Sequence, residues 1–487
     1  MIAARLSIII RRPGLWAALT LAGACSFCSS AHAAPNSPQE VRAVVRPEVR
    51  HQTIEGFGCS INAWTAPHYA LFYSDAFARF AVEELGLSMF RLDMWGGVSP
   101  AEISDWRDIT HEKFRWTGEG MRGKANVDWA KRLVTLKPEV RVIGSVWSAP
   151  AWMKENGSRM GTRSGYLLDS NRDYDHDNRL RPDRYRHFAK WIVEWARHME
   201  SQGTPFFAIS LQNEPLFTQW FESTLYTPDE YARIVEVTGE MFAAEGVRKP
   251  LFFGPEDMTL AHYGDSQRHR PYVDALIGSG AARYFDVLAT HGYSDGVRAD
   301  GNNDAVAYWQ SVRHLGLPYW ITEGGSGGHA WPEPVTTGIA PRLHIALSRA
   351  NVSLFTGWQL ASSPGQPSDH DFMEWTRATP KTHAAMHYWR HIRPGAIRVE
   401  VEIPDAGGLL VSAYLHVDRD ELVLVAINPT TEPHDLAVES PFIEACRSYL
   451  TDGKAMHAEI APPGSGEGIV RINLPGPSIA TLVGRLR

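Results

Sequence analysis

Between about residue 52 and about residue 390 the chain alternates short apolar runs, closed by glycine or proline, with longer segments of helical period. That alternation argues for βα units around a parallel sheet, whose strands are covered on both faces. The runs fall at 54–58, 88–94, 141–147, 206–212, 251–256, 286–291, 318–323 and 353–358. Eight such strands suggest a closed (β/α)8 barrel.

The helices between them carry clear signals. Phe188, Ile192, Trp195 and Met199 recur at the spacing of one helix face, and Gly203 lies just beyond. Thr227-Pro228-Asp229-Glu230 supplies an N-cap, a proline at the first helical position and a capping-box glutamate, with Gly246 past the helix end. After Arg393-Pro394-Gly395 the pattern changes to alternating runs that read as antiparallel strands of a small β-sandwich, and the run 41–45 has strand character suited to joining it.

The expected organisation is a leader over residues 1–33, a joining strand at 34–51, a catalytic barrel at 52–392 and a β-sandwich at 393–487. The leader reading rests on Arg5, Arg11 and Arg12, the apolar stretch 15–24 and the Ala31-His32-Ala33 cleavage signal. It implies secretion or a periplasmic location, by an export route that the sequence leaves open. No later segment is long and apolar enough to span a membrane. Past the leader only Cys59 and Cys446 remain, a pair that export permits to bridge without requiring it.

Chemistry concentrates at the ends of two strands. The run 206–215 is apolar until it stops at Gln212-Asn213-Glu214-Pro215, where the proline is expected to hold Glu214 in extended geometry. A second run, 317–325, ends at Thr322-Glu323 and opens into Gly324-Gly325. The C-terminal ends of barrel strands face the active site, so Glu214 and Glu323, on strands 4 and 7, are expected to meet across the barrel mouth. Paired carboxylates suit glycosidic cleavage, in which one must be protonated while the other stays ionised.

Other polar residues fall at expected strand ends. Arg91 is placed to hold the attacking carboxylate ionised and Tyr293 to hydrogen-bond it, while Asn213 is placed to bind a sugar hydroxyl. His291 reads either as a satisfied core histidine or as a substrate contact, and Glu256 equally as structural or functional. Trp64, Trp95, Trp147, Trp152, Trp220, Trp331 and Trp358 gather at these ends and in the loops after them, and indole is a flat partner for sugar C–H faces. The candidate catalytic residues are therefore Glu214 and Glu323, and the candidate substrate-binding residues are Arg91, Trp147, Asn213, His291, Tyr293 and Trp358.

Gly56-Phe57-Gly58, the segment Val146-Trp147-Ser148-Ala149-Pro150-Ala151-Trp152-Met153-Lys154, Gln212-Asn213-Glu214-Pro215, Thr322-Glu323 and Ile392-Arg393-Pro394-Gly395 together resemble glycoside hydrolase family 30 over nearly the whole mature chain. The resemblance implies a (β/α)8 barrel with an attached β-sandwich, acting on β-linked sugars with retention and without a cofactor. It makes Glu214 the acid/base and Glu323 the nucleophile. The run Gln359-Leu360-Ala361-Ser362-Ser363 lacks the arginine pair associated with glucuronate recognition, so dependence on glucuronate is not implied.

Xylan-type hemicellulose is the favoured substrate, with β-1,6-galactan, β-1,6-glucan and glucosylceramidase-like action as alternatives. A non-catalytic carbohydrate-binding protein on the same barrel is the rival from another class. The net charge of −7 and the lack of an arginine-lysine block argue against a nucleic-acid partner. No metal motif stands out: Asp173, Asp175 and Asp177 have the spacing of a calcium loop, but Asn178 and Arg184 occupy the positions that need glycine and glutamate. A monomer is the working expectation.

Overall fold

The computed structural model describes residues 39–486 except 62–65, 162–164, 167–175, 258–268, 294–296, 298–302, 326, 367, 440–446, 463 and 467. The leader, Trp64, Asp173, Asp175 and Cys446 lie outside the described residues. Cys59 is a buried free thiol, and its burial pushes the thiol pKa up.

All eight expected runs form strands: β1 (Gly56–Ser60), β2 (Met89–Asp93), β3 (Arg141–Ser145), β4 (Phe206–Ser210), β5 (Leu251–Gly254), β6 (Val287–His291), β7 (Tyr319–Glu323) and β8 (Leu354–Ala361). Each pairs in parallel with its neighbours in chain order, and β8 pairs with both β7 and β1, so the sheet closes into a barrel. Side chains alternate between the lumen and the surrounding helices. On β3, Ile143 joins Met89, Ala208, Phe253, Trp320 and Leu354 in the lumen, while Val142 packs outward. β1 and β2 approach so closely that a Cβ at Gly58 would stand 1.6 Å from the Met89 carbonyl oxygen, which explains one glycine of the Gly56-Phe57-Gly58 motif.

The helix Tyr185–Ser201 buries Phe188, Ile192, Trp195 and Met199, the face its spacing predicts. The helix Pro228–Ala244 starts at Thr227 with both hydrogen bonds of the capping box in place.

A second sheet of ten strands carries the C-terminal region. It is antiparallel apart from the strand Gln39–Thr53, which runs parallel to His434–Glu439 on one side and antiparallel to Ile397–Glu402 on the other. Val41, Leu424, Leu436, Leu450, Leu474 and Leu482 contribute to a single apolar core of this sheet, separate from the barrel's. Among the described residues, no helix is long and apolar enough to cross a membrane.

Candidate active site

Lumen-facing parity sets the centre of the site. On β2, Met89 points into the barrel, so Arg91 does too, and its side chain is wholly buried one layer nearer the mouth. A guanidinium there requires partners on every side. Nη1 donates to Oε2 of Glu323 at 2.8 Å, Nη2 to Oδ1 of Asn213 at 2.7 Å and Nε to Oγ of Ser145 at 3.1 Å. Glu256 adds an ion pair at 3.3 Å, and the guanidinium lies 4.4 Å from the centre of the Trp147 ring.

Parity alone would turn Glu323 the other way, because Trp320 on the same strand faces the lumen. The pairing of β7 with β6 slips between Ile321 and Glu323, setting Glu323 opposite His291. Bulges of this kind re-aim side chains. Glu323 then accepts from the Tyr293 hydroxyl as well as from Arg91. Burial raises its pKa, and His291, Arg91 and the Tyr293 hydroxyl oppose that rise.

Glu214 corrects the expectation of extended geometry. It lies beyond β4 in a turn with φ of 49°, where Asn213 bridges to Glu256 and the Glu214 N–H donates to the Glu256 carbonyl at 2.8 Å. The proline disfavours ordinary helix at Glu214, and the turn takes the left-handed region instead. A non-glycine residue there costs of order 1–3 kcal/mol, a cost that surrounding contacts must offset. Gln219 Nε2 donates to one oxygen of Glu214, and His291 Nδ1 stands 3.2 Å from the other. Burial pushes the Glu214 pKa up to about 7.

His291 is fully buried between the two carboxyl groups, with Nε2 3.4 Å from Oε2 of Glu323. Burial lowers its pKa, which favours the neutral ring. It is a lumen residue that links the pair rather than a wall facing open space. Asn213 likewise spends its oxygen on Arg91. Trp147 and Trp358 face each other with ring centres 5.7 Å apart, and Tyr293 reaches Glu323, so the structure brings together all eight of the site residues expected from sequence. Gln219 was not legible: it is a polar residue in a loop, and only the fold carries it back onto Glu214.

Glu214, His291 and Glu323 each offer one ligand atom, and these atoms lie within 4.8 Å of one another. As a cation site the set is compromised, because the Arg91 guanidinium already occupies an oxygen of Glu323 and would repel a metal ion.

Residues 103–315 match the glycosyl hydrolase family 30 TIM-barrel domain. The chain is 24% identical to glucuronoxylanase XynC of Bacillus subtilis over 354 residues, covering 69% of this chain and 74% of that protein. It is 25% identical to an endo-1,6-beta-D-glucanase of Neurospora crassa, over 51% of this chain and 49% of that protein. A family 30 subfamily 8 xylanase from Clostridium acetobutylicum superposes with a TM-score of 0.70 at 20% identity, over 91% of this chain and 99% of that one.

Proposed function

We propose that this chain, whose residues 103–315 match the glycosyl hydrolase family 30 domain, is an O-glycosyl hydrolase that cleaves a β-linked polysaccharide with retention, by double displacement through Glu323 and Glu214. Xylan-type hemicellulose is the favoured substrate, supported by the likeness to a glucuronoxylanase. β-1,6-Glucan is the second reading, supported by the likeness to the endo-1,6-glucanase.

One observation carries the mechanism. An oxygen of Glu214 and an oxygen of Glu323 lie within 4.8 Å, and only Glu323 touches the guanidinium. Retaining enzymes hold the two carboxyl groups about 5–5.5 Å apart, whereas inverting enzymes need about 6.5–9.5 Å to admit a water. Glu323, held ionised by Arg91 and Tyr293, attacks the anomeric carbon while Glu214 gives its proton to the departing oxygen. Glu214 then takes a proton from water as that water releases the sugar. Each half-reaction returns the proton that the other used.

Proton NMR of the first sugar released distinguishes the outcomes. A β-anomer appearing before mutarotation supports retention, and an α-anomer would overturn it. Digesting xylan, β-1,6-glucan, β-1,6-galactan and β-glucosides in parallel identifies the substrate. Export belongs to the same proposal: the mature chain is expected to begin at Ala34 and to be recovered outside the cytoplasm, which N-terminal sequencing of the exported protein checks.

A further inference from the structure

Glu256 stands just past the end of β5 with its side chain wholly buried, and neither of its carboxylate oxygens has a hydrogen-bond donor. Among the described residues its one charged partner is Arg91, at 3.3 Å. A buried carboxylate held by so little is costly, and each one calls for an explanation. Arg91 already has Glu323 as its counter-ion at 2.8 Å, so neutralising the guanidinium does not require a second anion.

The surroundings of Glu256 point to the two proposed catalytic carboxyls. Its backbone carbonyl accepts the Glu214 N–H at 2.8 Å, which sets the two residues side by side. Its side chain shares one guanidinium with Glu323, through Nη2 and Nη1 respectively. The other titratable groups around these carboxyls are Tyr231, His291 and Tyr293. Burial pushes the pKa of both tyrosines up and that of His291 down, so all three are neutral near pH 7. Burial is also the main cause of the Glu214 pKa near 7; the negative charge of Glu256 adds to it, while Gln219 and Arg91 oppose it.

We propose that Glu256 is a positioning residue for the reaction: a third carboxylate that never meets the sugar, takes up a share of the Arg91 charge and so keeps Glu214 able to hold, give and take back a proton. The need for it is greatest midway through the cycle. When Glu323 becomes the glycosyl ester it gives up its negative charge, and Arg91 would then face the newly ionised Glu214 with no other anion beside it. A cation in that position stabilises the carboxylate and weakens it as a base. Glu256 keeps Arg91 paired through that step, so Glu214 can take the proton of the incoming water. The inference rests on the retaining reading proposed above.

Two variants test it. Glu256→Gln keeps the shape and removes the charge, and Arg91 retains Glu323, so the variant is expected to fold; Glu256→Asp keeps the charge but draws it back by a methylene. On an oligosaccharide that the parent digests, the basic limb of kcat/KM is expected to move to lower pH in the order parent, Asp variant, Gln variant. A displacement of about one pH unit in Glu256→Gln lowers the ratio of kcat/KM at pH 8 to that at pH 6 about fivefold. On the dinitrophenyl glycoside of the same sugar, whose phenolate leaves without a proton, that ratio should stay parental, and a burst of phenolate followed by a slower steady rate than the parent's marks the weakened base. A purely structural role would lower Tm without moving the limb. A basic limb at the parental pH in whichever variant folds, or a loss equal at all pH values, overturns the role of Glu256 while leaving the glycosidase reading intact. A parent that turns over neither substrate overturns both.

Discussion

Glu214 and Glu323 are the same side chain held in two different surroundings. Arg91 and the Tyr293 hydroxyl both reach Glu323, whereas Glu214 receives an amide from Gln219 and no guanidinium. In the proposed mechanism, with the Glu214 pKa near 7, the proton needed for the first step is present below that pH and lost above it. Formation of the glycosyl-enzyme is therefore expected to fall as pH rises through about 7. Glu214→Gln should abolish that limb and lower kcat/KM on an unactivated substrate by about 10²–10⁴-fold; stopped-flow and steady-state rates against pH check both. Arg91 gives a stability prediction at the same scale. Arg91→Met leaves Glu323 and Glu256 buried without their cation, and a loss of about 3–5 kcal/mol is expected in denaturant unfolding.

At the scale of elements, the loop after β4 matters more than the strand. Lys154, buried, donates to Asn178 Oδ1 and the Ser223 carbonyl at 2.6 Å each, and to Ser148 Oγ at 3.2 Å. It ties the loops after β3 and β4 together beneath Gln219 and Trp220. Lys154→Met leaves those acceptors unsatisfied, at about 1–3 kcal/mol for each buried group. A lower Tm together with a lower kcat is expected, and a variant with parental Tm and kcat would show that the strut is dispensable. The strands themselves were legible because a fully covered parallel strand must be apolar along its length. In the second sheet, His434–Glu439 and Arg447–Thr451 carry a weaker strand signal, since about half their residues are polar and the strands they pair with are far away in sequence.

Across the whole molecule, histidines join the barrel to the second sheet. His387, on the helix Pro380–Trp389, sits between Thr481 and Thr451, and His391 meets His457 at 3.0 Å. Burial lowers the pKa of each, that of His457 to about 4. The unfolded chain binds protons at these groups near pH 6.5 and the folded chain only well below it. Their contribution to stability is thus fully present above about pH 6.5 and lost as pH falls toward 4. Parental Tm should drop over that interval, and His457→Asn should drop less; equal slopes would remove the cluster from the explanation. The sequence by itself determined the barrel, the strand beneath each glutamate and the resemblance to the family, because local periodicity and short motifs depend on neighbours in the chain. Tertiary structure alone decided the turn at Glu214, the slipped register that aims Glu323, the ring of His291 between them and the reach of Gln219. Those depend on groups brought together from distant parts of the chain, whose distances and burial no local pattern encodes.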